Sequence, residues 1–275
     1  MIFRQMFSCK HSIPPDMKKK HLKITFLGTG TSSGVPMIAC DCAVCTSSDT
    51  KDKRLRSSIL VQSESTHVVI DTTPDFRQQM LRINNKKLDA VVYTHAHKDH
   101  IAGLDDVKAY NYFQKKDMLL YADAFTQEEL RREFYYAFAE NKYPGVPDLI
   151  LQTVTKNKSF TVGDIDFLPI EVWHYLLPVL AYRIGSFAYI TDANRIEEDQ
   201  LELLKGTETL VVSALRKEKH ISHFTLAEAI ELVEKLEVKQ AYFTHISHQL
   251  GLHNEIEKEL PSNMHLAYDG LTLYV

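Results

Sequence analysis

The sequence predicts an α/β (α+β) protein built on mixed β-sheets, and three observations support this prediction. Short segments rich in Val, Ile, Tyr, Phe and Thr alternate along the chain with amphipathic segments of helical spacing. The β-rich segments 180–185 and 187–192 are close enough to form a hairpin, so antiparallel pairing is expected. The glycine-rich segment GTGTSSG lacks the spacing of a dinucleotide-binding loop, which disfavours a purely parallel sheet.

Segments with the composition of β-strands are bounded by polar residues, glycine or proline. In chain order they are 22–28, 57–63, 67–72, 89–95, 166–173, 180–185, 187–192, 209–214, 240–245 and 271–275. Several of them end at or beside a histidine or an aspartate. The sequence therefore places side chains that can bind metals at the ends of strands.

Segments with the spacing of amphipathic helices lie at 75–83, 101–115, 126–140, 196–205, 225–237 and 252–260. The clearest helix start is at Thr225, because its hydroxyl can accept from the first turn while Glu228 reaches back to it. One face of this helix carries apolar side chains that we expect to pack in the core: Leu226, Ala229, Ile230, Val233 and Leu236.

Length and composition indicate one domain, which we expect to span residues 17–275 after a disordered extension at 1–16. The 275 residues are 44% hydrophobic and 25% charged, as in ordinary globular proteins. A net charge of −4 gives no positive surface for a polyanion, so DNA is not expected as a partner. The sequence shows no membrane-spanning segment and no secretory signal, so we expect a cytoplasmic protein without a membrane partner.

The most informative segment is VVYTHAHKDH, which ends at His100. After a buried strand, four side chains that can bind metals follow within six residues: His95, His97, Asp99 and His100. Alternate residues of an extended segment point the same way, so His95 and His97 can bind one cation. Asp99 and His100 come after the turn and can reach a second cation. Imidazole and carboxylate groups suit Zn, Mn or Fe.

Three further side chains that can bind metals follow apolar strands: His174, Asp192 and His245. A strand end presents its loop from a rigid sheet, where functional residues are often found. Together with the histidine motif, these residues supply enough ligands for a site with two metals.

This set of residues resembles the metallo-β-lactamase superfamily, whose H-x-H-x-D-H motif is matched by THAHKDH. The similarity extends from residue 22 to the C-terminus. It implies a four-layer αββα sandwich of two mixed β-sheets, with a two-metal site at one edge.

The resemblance also implies a role for each matched residue. One metal would be bound by His95, His97 and His174. The other metal would be bound by Asp99, His100 and His245. Asp192 would bridge the two metals, and Asp71 matches the aspartate that orients the ligands.

The segment CDCAVC contains three of the four cysteines, Cys40, Cys42 and Cys45. In a reducing compartment such a cluster indicates metal binding or catalysis rather than disulfides. A redox pair would instead prefer an isolated C-x-x-C motif. The G-T-G…G-V-P opening, this spacing and the segment THISHQ are similar to PhnP-like phosphodiesterases. That similarity implies a structural zinc bound by the three cysteines and His248.

His223, in the segment HISHFT, precedes the capped helix and matches the proton donor of PhnP-like enzymes and of RNase Z. Packing beside the helix cap is the alternative role, and His220 is expected to be a solvated surface residue. The resemblance implies hydrolysis of a small phosphodiester, cyclic or nucleotide-like. Hydroxide would attack phosphorus at metals held by Asp99 and Asp192, and His223 would protonate the leaving oxygen.

Alternative functions also follow from this reading. An RNase Z-like endonuclease shares the metal motif, but the segment 101–173 lacks the expected basic, Gly/Pro-rich arm. A glyoxalase II-like thioester or lactone hydrolase shares the ligands, but thiolates leave without a proton donor. A metal-binding protein without activity is disfavoured by the complete ligand set.

Arg54 and Arg56 are candidate phosphate ligands or solvated surface residues. The active-site metal (Zn, Mn or Fe) and a homodimer are left open.

Overall fold

The structure of the protein is a computed structural model that describes residues 21–275. The expected extension at 1–16 lies outside the described residues. The strands are β1 (Lys23–Gly28), β2 (Ser58–Gln62), β3 (His67–Ile70), β4 (Ala90–Val92), β5 (Met118–Ala122), β6 (Leu149–Thr153), β7 (Phe160–Val162), β8 (Ile165–His174), β9 (Leu177–Ile184), β10 (Phe187–Ile190), β11 (Thr209–Ser213), β12 (Gln240–Thr244), β13 (Met264–Leu266) and β14 (Thr272–Tyr274).

The helices are short and lie between the strands. They are α1 (Ala43–Thr46), α2 (Phe76–Ile83), α3 (Lys98–Ile101), α4 (Lys108–Gln114), α5 (Ala124–Glu133), α6 (Tyr135–Phe138), α7 (Glu198–Leu204), α8 (Leu226–Lys235) and α9 (His253–Glu259). Two 3₁₀ turns cover Thr50–Asp52 and Leu104–Val107. Within residues 21–275, no helix combines the length and the apolar character needed to cross a membrane.

The strands form two mixed sheets, as the sequence predicted. The first has the order β14-β1-β2-β3-β4-β5-β6, and the second has the order β13-β12-β11-β10-β9-β8-β7. In the first sheet, β3 to β6 run parallel and the other pairs are antiparallel. In the second sheet, β10 to β13 run parallel and β7 to β10 are antiparallel. Each sheet therefore contains both kinds of pairing.

Three apolar layers hold these sheets and helices together. The middle layer lies between the sheets and includes the fully buried Phe26, Tyr182 and Tyr189. A second layer packs α2, α4 and α5 against the outer face of the first sheet. The third packs α7, α8 and α9 against the second sheet, where Ala188 and Ile190 alternate with Tyr189. Both sheets are thus covered on both faces, which gives the expected αββα sandwich.

The predicted helix 101–115 is not continuous. It is divided into α3, a 3₁₀ turn and α4, because the chain turns at Gly103. A Cβ at this glycine would lie 2.0 Å from the carbonyl oxygen of Thr73, so only glycine fits there. The predicted helix 126–140 is likewise divided, into α5 and α6 at Phe134. Strands β5, β6, β7 and β13 were absent from the sequence prediction.

The residues that follow β3, β4, β10 and β12 meet at one edge of the sandwich. This arrangement brings Asp71, Thr94, Asp192 and His245 together from four strands. At this edge the two sheets are joined by a hydrogen bond from the N–H of Leu180 to the carbonyl of Thr94, at 3.0 Å. The edge is therefore supported by both sheets.

Candidate metal centre and active site

The histidine motif is positioned by the end of β4 and the start of α3. After β4, His95 is buried, while His97 is the residue directly before α3 and is exposed. Asp99 and His100 then lie in the first turn of α3, with His100 fully buried. The change from extended to helical backbone thus directs the two pairs of side chains to two neighbouring positions.

Two groups of four side chains, which share Asp192, lie at this edge within the described part of the chain. The first group is His95, His97, His174 and Asp192. The second group is Asp99, His100, Asp192 and His245. In each group, one ligand atom from every residue lies within 4.8 Å of the others. The seven residues singled out from the sequence are thus brought together, and each group could hold one cation.

Three residues of this edge have left-handed backbone conformations. The φ angles are 66° at Asp71, 55° at Asp192 and 56° at His245. Non-glycine residues adopt this region infrequently, and strained backbone is concentrated at functional sites. Each of the three follows the end of a strand, so the strain turns a side chain toward the edge.

Asp71 connects the two groups through hydrogen bonds. Its carboxylate accepts from Thr94 N–H and Thr94 Oγ1–H, both at 2.8 Å, and from His100 Nδ1–H at 2.7 Å. The Thr94 hydroxyl lies 3.0 Å from His95 Nδ1, from which it can accept a hydrogen bond. This leaves Nε2 of both His95 and His100 available as a ligand.

Unpartnered buried nitrogens show that these residues fit a metal. Within residues 21–275, His95 Nε2, His100 Nε2 and His245 Nδ1 are buried without a hydrogen-bond partner. His245 Nδ1 lies 2.9 Å from Asp192 Oδ1, and His100 Nε2 lies 3.2 Å from Asp192 Oδ2, but neither contact has the alignment of a hydrogen bond. Buried nitrogen atoms that converge on a carboxylate are explained by a cation between them.

The electrostatics of the cluster agree with this reading. Burial lowers the pKa of His95 well below its usual value, so the ring is the neutral form that binds metals. Burial alone would raise the pKa of Asp192, but His245 and His100 outweigh it and hold the pKa well below its usual value. The Asp192 carboxylate, which belongs to both groups, is therefore ionised.

His174 and His223 lie side by side at the edge. The Nδ1–H of His174 donates to the carbonyl of Ser222 at 2.8 Å, which leaves its Nε2 for the first group. The His223 ring lies 4.5 Å from the His174 ring and 4.8 Å from the His245 ring. Burial, and then the charge of His245, lower the pKa of His223 to about 3. A negatively charged ligand beside the ring would favour its protonated form.

The cysteine cluster is brought together with His248. Nδ1 of His248 lies 3.4 Å from the Sγ of Cys40 and 3.3 Å from that of Cys42, and Cys45 lies within the same group. The hydrogen bond with His248 lowers the pKa of Cys42 to about 6, whereas burial raises that of Cys45 to about 11. Three thiols and one imidazole are a typical ligand set for tetrahedral zinc.

The two arginines singled out from the sequence are used within the protein. Arg54 is buried, and its guanidinium donates to Thr29 Oγ1, to the carbonyl of Ala267 and to His253 Nδ1. Arg56 is paired with Asp75 at 2.9 Å. Because the donors of Arg54 are occupied in the interior, we do not assign a phosphate to it.

Sequence reasoning missed two neighbours of the cluster. The His220 ring lies 5.2 Å from the His223 ring, although His220 was expected at the solvated surface. Thr31 Oγ1 lies 3.3 Å from His245 Nε2, on the opposite side of the ring from Asp192. The Thr31 contact has no local signal, because it joins residues 214 positions apart, whereas His220 lies only three residues before His223 in the same segment.

Comparison with known proteins places this fold and edge in one class. A family model described as a beta-lactamase superfamily domain matches residues 66–246. This match covers more than half of the chain, and the chain therefore belongs to the beta-lactamase superfamily. It has the fold of this superfamily's metal-dependent hydrolases and a candidate His/Asp metal site.

Within this superfamily, the chain is similar to the PhnP family. The crystal structure of a diphosphatase of that family is 43% identical, with a TM-score of 0.87, and the match covers 93% of this chain and 97% of that one. Human tRNase Z, short form, shares the fold at 16% identity and a TM-score of 0.68, over 91% of this chain and 98% of that chain.

An octanoyltransferase of Porphyromonas gingivalis is 38% identical over 252 residues, which are 91% of this chain. The aligned part is 51% of the octanoyltransferase, so the chain spans about half the length of that protein.

Proposed function

We propose that the protein is a metal-dependent phosphodiesterase that hydrolyses a small phosphodiester. The observation that carries this proposal is the position of His223, a histidine outside both ligand groups whose ring contacts the rings of His174 and His245. A proton donor beside a metal site is needed when the leaving group is an alkoxide.

The metals are assigned to the two groups that share Asp192. The first group would hold one divalent metal and the second group another, with Zn, Mn and Fe all suited to histidine and carboxylate ligands. Two divalent metals supply Lewis-acid activation of a phosphoryl oxygen and of the attacking water. The separate Cys40, Cys42, Cys45 and His248 group would hold a structural zinc that joins the first long loop to the loop after β12.

The protein's own residues orient the ligands and supply a proton. Asp71 fixes the ring of His100 directly and that of His95 through Thr94. His223 Nδ1 is buried and has no partner within residues 21–275. An anionic substrate beside His223 favours protonation of the ring, and the ring then gives its proton to the departing oxygen.

The same chemistry extends to diphosphates that carry an organic group on each phosphorus. Each phosphorus of such a diphosphate bears two bridging oxygens, as the phosphorus of a phosphodiester does. A PhnP-family relative is described as a diphosphatase, which supports testing this substrate class beside simple and cyclic diesters.

The rival functions make different demands on the site. A thioester hydrolase needs no proton donor for its thiolate, so the position of His223 favours a phosphodiester. An RNase Z-like endonuclease shares the fold and, by resemblance, the metal motif and the position of His223, but the segment 101–173 lacks the basic, Gly/Pro-rich arm expected of that family. Octanoyl transfer is not proposed, because about half of that relative lies outside the match.

The test is turnover of bis(p-nitrophenyl) phosphate by the purified protein loaded with Mn or Zn. A p-nitrophenyl monoester, a substituted diphosphate and a thioester are run beside it, with Asp192→Asn as the matched control. We expect cleavage of the diester or of the diphosphate that is lost in Asp192→Asn. Thioester cleavage with no activity on either phosphorus substrate would contradict the proposal.

A further inference from the structure

Three exposed apolar side chains lie next to the candidate active site. Tyr175, Leu176 and Ile221, which we call the rim, are 49%, 73% and 64% exposed. Tyr175 and Leu176 form the two-residue turn between β8 and β9, because His174 pairs with Leu177. Tyr175 directly follows His174, and Ile221 precedes His223 by two residues. The rim is therefore continuous with the site.

The two parts of the rim are tied together by the side chain of Asn194. Its Oδ1 accepts from the N–H of Tyr175 at 2.8 Å, and its Nδ2 donates to the carbonyl of Ile221 at 3.0 Å. A parallel link runs from His174 Nδ1–H to the carbonyl of Ser222. The backbones of the turn and of the segment before His223 are thus fixed side by side.

Tyr175 occupies a strained position. Its φ angle is 58°, at the first position of a two-residue hairpin turn, where a positive φ favours glycine. A bulky residue in this region is an outlier, and such strain is typical of ligand sites. Glycine would relieve the strain but would remove the ring from the rim.

We propose that the rim binds an apolar or aromatic group on the leaving side of the substrate. This inference rests on the proposed function, because His223 marks the side of the departing oxygen and Ile221 lies beside it in the chain. The substrate class is then a phosphodiester, or a disubstituted diphosphate, whose leaving group carries a sizeable apolar part. The metal groups bind the phosphoryl part, and the rim selects among leaving groups.

The test compares two substrates that differ only in apolar size. Methyl phenyl phosphate and methyl 4-butylphenyl phosphate release phenols of similar acidity, so their chemical steps are matched. We expect the metal-loaded protein to cleave the butylphenyl diester with about tenfold higher kcat/KM, mainly through a lower KM.

Two variants and one control locate this preference. Leu176→Ser combined with Ile221→Ser should bring the kcat/KM ratio of the two substrates close to one, while kcat changes little. Tyr175→Gly should also reduce the ratio, with a melting temperature no lower than that of the parent. The control is Leu81→Ser on α2, which removes an equally exposed apolar side chain (62%) and should keep the ratio.

The outcomes separate the two proposals. If the parent cleaves both diesters with equal kcat/KM, the proposal that the rim binds the leaving group is wrong, while the proposed phosphodiesterase activity is retained. If the preference for the butylphenyl diester persists in the Leu176/Ile221 variant, the proposed role of the rim is also wrong. If the metal-loaded parent cleaves no phosphodiester or diphosphate, the proposed function is wrong, and so is the role of the rim that rests on it.

Discussion

Replacing Asp71 with asparagine should weaken both metal-ligand groups at once. The fully buried carboxylate accepts from Thr94 N–H through Oδ1 and from Thr94 Oγ1–H and His100 Nδ1–H through Oδ2. Asparagine offers one accepting oxygen and one NH₂ group. In either orientation, at least one buried N–H of Thr94 or His100 then faces another donor.

The expected loss of stability follows from the number of buried donors that lose their acceptor. A buried donor left without an acceptor costs about 1–3 kcal/mol. For a chain of this size, a loss of about 2 kcal/mol corresponds to about 4–8 °C in the melting temperature. Asp71 orients His100 directly, and it orients His95 through the hydroxyl of Thr94. Because both rings lose this support, metal affinity should fall about 10–100-fold.

The assay has two parts. Thermal unfolding of the metal-free proteins measures the loss of stability, and metal content after dialysis against graded chelator measures affinity. Asp75→Asn is the matched control, since Asp75 pairs with Arg56 and does not bond to the histidines. Unchanged metal affinity in Asp71→Asn would refute the argument that Asp71 orients the ligands.

Three further predictions concern other parts of the molecule. His223→Ala should lose about 10²–10⁴-fold in turnover of alkyl diesters and much less with nitrophenyl leaving groups, measured by steady-state kinetics. Cys42→Ser should lose one zinc per chain by elemental analysis, and in zinc at a hundredfold excess over Kd it should lose about 3 kcal/mol of stability. Burial and the charge of Arg54 lower the pKa of His253 to about 4, so the parent should lose stability as pH falls from 6.5 toward 4. His253→Gln should remove about 1 kcal/mol of that loss by pH 5, after allowance for solvent screening, as measured by thermal unfolding in equal zinc.

Each of these has an outcome that would contradict it. Equal losses on alkyl and nitrophenyl diesters would remove His223 as the proton donor. An unchanged zinc content in Cys42→Ser would exclude its thiol as a ligand. Parallel stability curves for the parent and His253→Gln between pH 7 and pH 5 would show that this histidine does not contribute to acid sensitivity.

Much of the fold could be predicted because its signals are local. The capping box of Thr225 and Glu228 is present at the start of α8, as the sequence predicted. The hairpin of β9 and β10 was also readable from two adjacent β-rich segments. Strands β5 and β6 were missed because MLLYA and LILQT are rich in leucine, which favours helices in isolation. Parallel pairing with distant strands decides their conformation.

The candidate site was readable to a similar extent. Its candidate residues follow strands and include a specific motif, and the resemblance to the superfamily placed them at one edge. The burial of Arg54 could not be predicted from the sequence, because an arginine in a polar segment is expected at the surface. Its partners Thr29, His253 and Ala267 come from positions 25, 199 and 213 residues away. Only the folded chain makes that arginine an interior residue.

The left-handed residues at the strand ends have a consequence for metal exchange. Asp71, Asp192 and His245 each lie just after a strand, so the two sheets fix the backbone at these positions. A cation arriving at this edge would therefore meet preorganised ligands, unlike the metal of a small zinc domain that folds only on binding. One divalent ion could then replace another without refolding. The supply of metals in the cell would decide which ion the protein carries.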